Sequence, residues 1–138
     1  MENYKSSEGL KAILGSDLVD LAYIVAGQAW REAILAEVKA MKLNTDKVMG
    51  FADPGTTRQI SILNAMKSIL SDMENVLMVD SEENDNTVLI HDAARPMLTE
   101  KLIGDCYMAL QGHDGVMPAL PMKDTVYMSE DGKGVPAS

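Results

Sequence analysis

The chemistry-bearing residues of this chain cluster in three short polar segments, each placed where an apolar run ends. The first is His91-Asp92-Ala93-Ala94-Arg95-Pro96, directly after Thr87-Val-Leu-Ile-His91. A carboxylate at such a position can hold a ribose hydroxyl or a metal ion attached to phosphates. The two alanines leave room for close backbone approach, and Arg95 offers a planar fork suited to phosphate. Pro96 fixes the exit into the next element. An Asp–Arg pair that only stabilises a loop would carry the same residues, so both readings stand on the residues alone.

The second segment is Gly55-Thr-Thr-Arg-Gln-Ile-Ser-Ile-Leu-Asn64, which runs from a loop into a helix. A glycine and a helix start expose N–H groups that could meet a base carbonyl or a phosphate. Ser61, one turn in, could point back at the same cleft. Ordinary capping by Thr56 or Thr57, with Arg58 in solvent, accounts for the segment without any ligand. The third is Pro121-Met-Lys-Asp-Thr125, where Lys123 and Thr125 supply a cation and a hydroxyl. A polar strand end would look the same.

The elements that must position these segments alternate. Ser6–Leu14 reads as a short helix ended by Gly15, and Leu21–Ala26 as a strand buried on both faces. Gln28–Lys42 has apolar Ala29, Trp30, Ala33, Ile34, Val38 and Met41 at helical spacing. Lys47–Ala52 is a second strand, broken by Asp53-Pro54-Gly55. Thr57–Leu70 is an amphipathic helix with Ile60, Leu63, Ala65, Met66 and Ile69 near one face. Residues 80–86 form an acidic, solvated loop. Thr87–His91 is a third buried strand, Leu98–Gln111 a helix and Gly115–Leu120 a fourth strand, extended by Thr125–Ser129. Such alternation predicts a parallel α/β sheet, whose ligands gather beyond the carboxyl ends of the strands.

Composition narrows the function classes. Hydrophobic residues make up 46% of the 138, which is globular rather than disordered and enough for one domain with a modest core. No apolar run approaches the roughly 20 residues of a membrane helix, and the N-terminus has no signal pattern. The expectation is a cytoplasmic protein that does not engage a membrane. A net charge of −9 repels phosphate backbones and argues against nucleic-acid binding. It leaves room for a small anion held by a compact group of local cations. The single cysteine, Cys106, lies in an amphipathic helical run and reads as packing. His113 sits in a turn with no partner at metal-ligand spacing. The 11 methionines read as core filler, and Trp30 as a packing residue.

In this order and spacing, TRQxSxxN, VLIHDAARP and a strand ending in P-x-K-D-T resemble one family over roughly residues 6–130. It is that of 2-C-methyl-D-erythritol 4-phosphate cytidylyltransferase; the related ribitol-5-phosphate enzymes share the layout. The resemblance implies a three-layer αβα fold with a mainly parallel sheet, of the nucleotide-diphospho-sugar transferase type. It implies transfer of CMP from CTP to a sugar-alcohol phosphate, with Mg²⁺ as the divalent metal and a homodimer at full length. Gly55, Thr56 and Ser61 match positions near the cytosine, with Arg58 ordering the loop. Asp92 and Ala93 match positions that meet the ribose and the metal-bound phosphates. Arg95 and Thr125 match contacts to the substrate phosphate. Thr56 stands where some members carry an acidic residue, which moves base contacts there onto the backbone.

Family members also begin with a strand and a Gly-rich A-G-G-x-G-x-R-M loop, then a lysine, and end with an aromatic-rich Q-T-P-Q-like stretch. Neither occurs in these 138 residues. The expectation is therefore a single partial domain over 1–138, poorly active because the cations for the α-phosphate are missing. In the family the first strand lies between those matching Leu21–Ala26 and Thr87–His91. Neighbouring strands sit about 4.8 Å apart, and unpaired buried backbone is costly. Tyr23–Val25 is therefore expected to pair directly beside Val88–Ile90 in parallel.

Overall fold

The computed structural model describes residues 3–75, 86–93, 95, 97–121, 123 and 124. Among these, helix α1 covers Asn3–Gly15, strand β1 Ala22–Val25 and helix α2 Gln28–Ala40. Strand β2 covers Val48–Ala52, helix α3 Arg58–Asn75 and helix α4 Glu100–Leu110. The acidic loop up to residue 85, Thr125 and the 125–129 extension lie outside the described residues.

Three helix ends are fixed by local chemistry. Thr57 Oγ1 accepts from Ile60 N at 3.2 Å, and Thr99 Oγ1 accepts from Leu102 N at 3.1 Å, capping α3 and α4. At the end of α2, Leu43 N donates to Val38 O and Lys42 N to Lys39 O. This is a Schellman closure, made with Lys42 at φ 55° where glycine is usual.

β1 and β2 pair in parallel, Ala22 with Val48, Tyr23 with Gly50, Ile24 with Phe51 and Val25 with Ala52. The register slips between Ala22 and Tyr23. Helix α3 packs on both strands, while α1 meets α2 and α4. Ala12 and Leu14 of α1, Val38 of α2, Ile103 of α4 and Ala52 of β2 are the buried apolar residues. One hydrogen bond and one close approach tie α1 and the residue after it to the rest. Lys47 Nζ donates to Ser16 O at 2.8 Å, and the His91 ring lies so close to Gly9 that a Cβ there would sit 2.8 Å from it.

The fold is therefore mixed α/β with a small parallel sheet, and several expectations need correction. Residues 87–91 and 115–120 form no strand, and β1 pairs only with β2 among the described residues. The direct pairing of Tyr23–Val25 with Val88–Ile90 is absent. Strand character comes from a laterally aligned neighbour, which apolar composition cannot supply. Val88, Leu89 and Ile90 are accordingly 46%, 45% and 51% exposed. β1 itself is only half-buried, and Val25 is exposed. Trp30 is not a packing residue. It is 63% exposed with its ring near Gly27, and Val38 takes the buried position of α2 instead. On α3, Ala65, Met66 and Ile69 are half-buried, whereas Ile60 and Leu63 are exposed.

Candidate functional site

The loop that follows β2 is held by side chains of α3. Gly55 N donates to Ser61 Oγ at 2.9 Å, and the same hydroxyl donates to Thr57 O at 3.1 Å. Asn64 Nδ2 donates to Asp53 O at 2.9 Å. A side chain at position 55 would collide with that of Ile60, so the loop closes only around glycine. Ser61 thus turns back toward Gly55, as its spacing predicts, and its oxygen already serves the loop. Thr56 and Ala93 are exposed.

An ion pair joins this loop to the segment after Ile90. Arg58 Nε donates to Asp92 Oδ1 at 2.9 Å, while Arg95 Nε lies 3.5 Å from Asp92 Oδ2. Arg95 N also donates to Asp92 O at 3.0 Å, closing a tight turn. Arg58 and Arg95 remain 58% and 81% exposed, against 33% for Asp92. Two guanidinium groups around one carboxylate leave a local excess of positive charge in a chain whose net charge is −9. The hydrogen bond from Arg58 holds the Asp92 carboxyl below its usual range, against a smaller opposing effect of burial. The structure thus brings together Gly55, Arg58, Ser61, Asp92 and Arg95. Lys123 is exposed and makes none of these contacts, and Thr125 lies outside the described residues.

With this geometry, the chain can be set beside known proteins. It matches the 2-C-methyl-D-erythritol 4-phosphate cytidylyltransferase (IspD) family over residues 7–136. The chain belongs to that family. The enzyme of that name from Thermotoga neapolitana is 32% identical over 124 residues, covering 90% of this chain and 49% of its own length. Its counterpart from Prochlorococcus marinus MIT 9515 is 29% identical over 117 residues, 85% of this chain and 45% of its own. A bifunctional IspD/IspF enzyme from Sphingopyxis alaskensis is 40% identical over 81 residues, 59% of this chain and 18% of its own. This cytidylyltransferase-family chain spans about half the length, or less, of these curated relatives. No solved structure matches it.

Sequence reasoning missed three side chains that build the loop of this family member. Arg31 donates through Nε to Ala26 O at 3.0 Å and through a terminal nitrogen to Asp53 Oδ1 at 2.6 Å. Its guanidinium carbon lies 5.5 Å from the Phe51 ring centroid. Asn64 closes the TRQxSxxN pattern, which was the one available signal for its role. Nothing in the sequence pairs Arg31 with Asp53.

A separate hollow of about 400 Å³ lies where α3 meets the sheet, lined by Tyr23, Gly50, Phe51, Lys67 and Asp72 among others. Tyr23 Oη donates to Asp72 Oδ2 at 2.8 Å. Burial first, then that hydrogen bond, pushes the Tyr23 hydroxyl well above its ordinary value.

Proposed function

We propose that this chain provides part of the CTP and substrate site of a cytidylyltransferase. The reaction joins CMP from CTP to 2-C-methyl-D-erythritol 4-phosphate, an isoprenoid precursor, and releases pyrophosphate. The observation that carries the reading is the Arg58–Asp92 ion pair, because it brings the base-side loop and the phosphate-side loop to one place. Gly55, Thr56 and Ser61 would face the cytosine, and Arg58 would set the loop. Asp92 and Ala93 would meet the ribose and the triphosphate, while Arg95 and Thr125 would hold the phosphate of the sugar alcohol.

The substrate phosphate is already anionic at neutral pH, so its attack on the α-phosphorus needs no protein base. Positioning and positive charge decide the rate. Arg95, 81% exposed, can exchange Asp92 for a substrate phosphate with little desolvation. That exchange frees an Asp92 oxygen. Among the described residues no group of three or more acidic, His or Cys side chains could hold a metal by itself. One carboxylate fits Mg²⁺, which is held largely by substrate phosphates and waters. Asp92 is the residue that would complete such a set. When bound, the ion neutralises charge on the triphosphate.

The 138 residues contain no A-G-G-x-G-x-R-M run, so turnover by these residues alone is expected to be very low. We place residues 1–138 in one partial domain of a nucleotide-diphospho-sugar transferase-type αβα fold, acting in the cytoplasm and dimeric in the full-length enzyme. Ribitol 5-phosphate is the second substrate reading, because Arg95 and Thr125 would recognise phosphate rather than the carbon skeleton. A nucleotide-binding module without catalysis is the third. Calorimetric titration with CTP, UTP and ATP in Mg²⁺ tests the site, with CTP expected to bind in preference. Equal affinity for all three, or none for CTP, overturns it. Pyrophosphate release with each polyol phosphate then separates the substrates.

A further inference from the structure

We infer that Arg31 is a positioning residue for base recognition, holding the Asp53–Thr57 loop in register from helix α2. The inference rests on the proposal that this loop faces the cytosine. Three contacts of one side chain carry it. Arg31 Nε donates to Ala26 O at the end of β1, its terminal nitrogen donates to Asp53 Oδ1 at 2.6 Å, and its guanidinium lies beside Phe51 of β2. One planar group therefore spans both strand ends and the first residue of the loop. Lysine, a point charge on a flexible stem, cannot make both directed bonds at once.

The loop needs such a brace. Ala26 N donates to Ala52 O at 3.1 Å, the last sheet-like bond before the two chains part. Beyond it Asp53, Pro54, Thr56 and Thr57 are exposed. Among the described residues, Arg31 on one side and Asn64, through Asp53 O, on the other fix where Asp53 sits. Gly55 N, two residues on, donates to Ser61 Oγ, so the placement of Asp53 and that of the Gly55 amide belong to the same short loop. The Arg31 side chain is 26% exposed, so the Asp53 contact is shielded on its cationic side while the carboxylate remains 72% open to solvent. That asymmetry suits a brace better than a ligand contact: Nε and one terminal nitrogen are directed at protein oxygens on two different segments.

The test compares Arg31→Met, Arg31→Lys, Asp53→Asn and the double variant Arg31→Met/Asp53→Asn in the full chain. Val38→Ala, a cavity in the fully buried position of α2, serves as the stability control. Two quantities are read: exchange of the Gly55 amide relative to that of Ile103 by NMR, and the CTP dissociation constant. Arg31→Met is expected to speed Gly55 exchange and weaken CTP binding, each by about tenfold, the scale of one charge-assisted hydrogen bond. Asp53→Asn should fall part-way, and the double variant should match Arg31→Met because the two groups act as one unit. Arg31→Lys should recover part of both losses. Val38→Ala should lower the melting temperature and leave both readouts alone. Gly55 exchange that is unchanged in Arg31→Met overturns the inference, as does an equal shift of both readouts in Val38→Ala. If the unaltered chain fails to bind CTP, the functional proposal falls, while Gly55 exchange still decides whether Arg31 braces the loop.

Discussion

The loop after β2 and the segment before Asp92 follow the same apolar-then-polar pattern, yet the structure treats them differently. Residues 48–64 form a strand, a braced loop and a capped helix. Residues 87–91 carry a comparably apolar run, form no strand, and leave Val88, Leu89 and Ile90 about half exposed. The first region has β1 beside it in register and Asn64, Ser61 and Arg31 around its loop. The second has a seat for His91 against Gly9 and an ion pair at Asp92, but no strand alongside among the described residues. Local polar chemistry can anchor a loop end; a strand also needs a lateral partner.

The sharpest way to break that contrast is to overfill the better-built loop. Gly55→Val should force apart the contact with Ile60 and destabilise the chain by about 1–3 kcal/mol, the usual cost of overpacking. Chemical denaturation reads it, and a neutral result would mean the loop is not packed as described. Removing a cap comes next. Thr57→Ala should cost about 1 kcal/mol, since Ile60 N loses its acceptor at the start of α3.

The ion pair between the two regions has a smaller effect with a definite pH signature. The folded state holds the Asp92 carboxyl below its unfolded value, so its contribution is present above about pH 4 and is lost as pH falls through the folded value. Both partners face solvent, which limits that contribution to under ~1 kcal/mol. Arg58→Gln should raise the Asp92 titration midpoint seen by carbon NMR and shrink the acid-side loss. An unmoved midpoint would mean that Arg95 alone sets it. The smallest effect belongs to the exposed run. Val88→Thr should change stability by less than ~0.5 kcal/mol, because a half-exposed side chain has little burial to lose. A loss of 1 kcal/mol or more would show that this run is buried in solution.

The helices and both paired strands were legible because their signals are short-range. The 3.6-residue spacing of Gln28–Lys42, the threonines before α3, and Asp53-Pro54-Gly55 after β2 each act within about five residues. The two motif loops were legible for the same reason, as compact runs with recognisable chemistry. The expected strands at 87–91 and 115–120 failed because apolar composition shows a tendency to be covered, not what covers it. Trp30 failed similarly: helical spacing nominated a face, and of that face Val38 is buried while Trp30 stays exposed.

By itself, then, the sequence determined the family, the presence and order of the four helices and the identity of the residues at both loops, while the expected helix ends differ from the observed ones by up to five residues, as at Leu70 against Asn75 in α3. Only the tertiary structure decided that Arg58 reaches Asp92 across 34 positions and that Arg31 reaches Asp53 across 22. Those pairings depend on where the chain path returns, and that is set by β1 lying against β2 and α3 across both. A charged side chain can find many partners of opposite sign in an unfolded chain. The backbone geometry of the folded one leaves each of these arginines with a particular carboxylate.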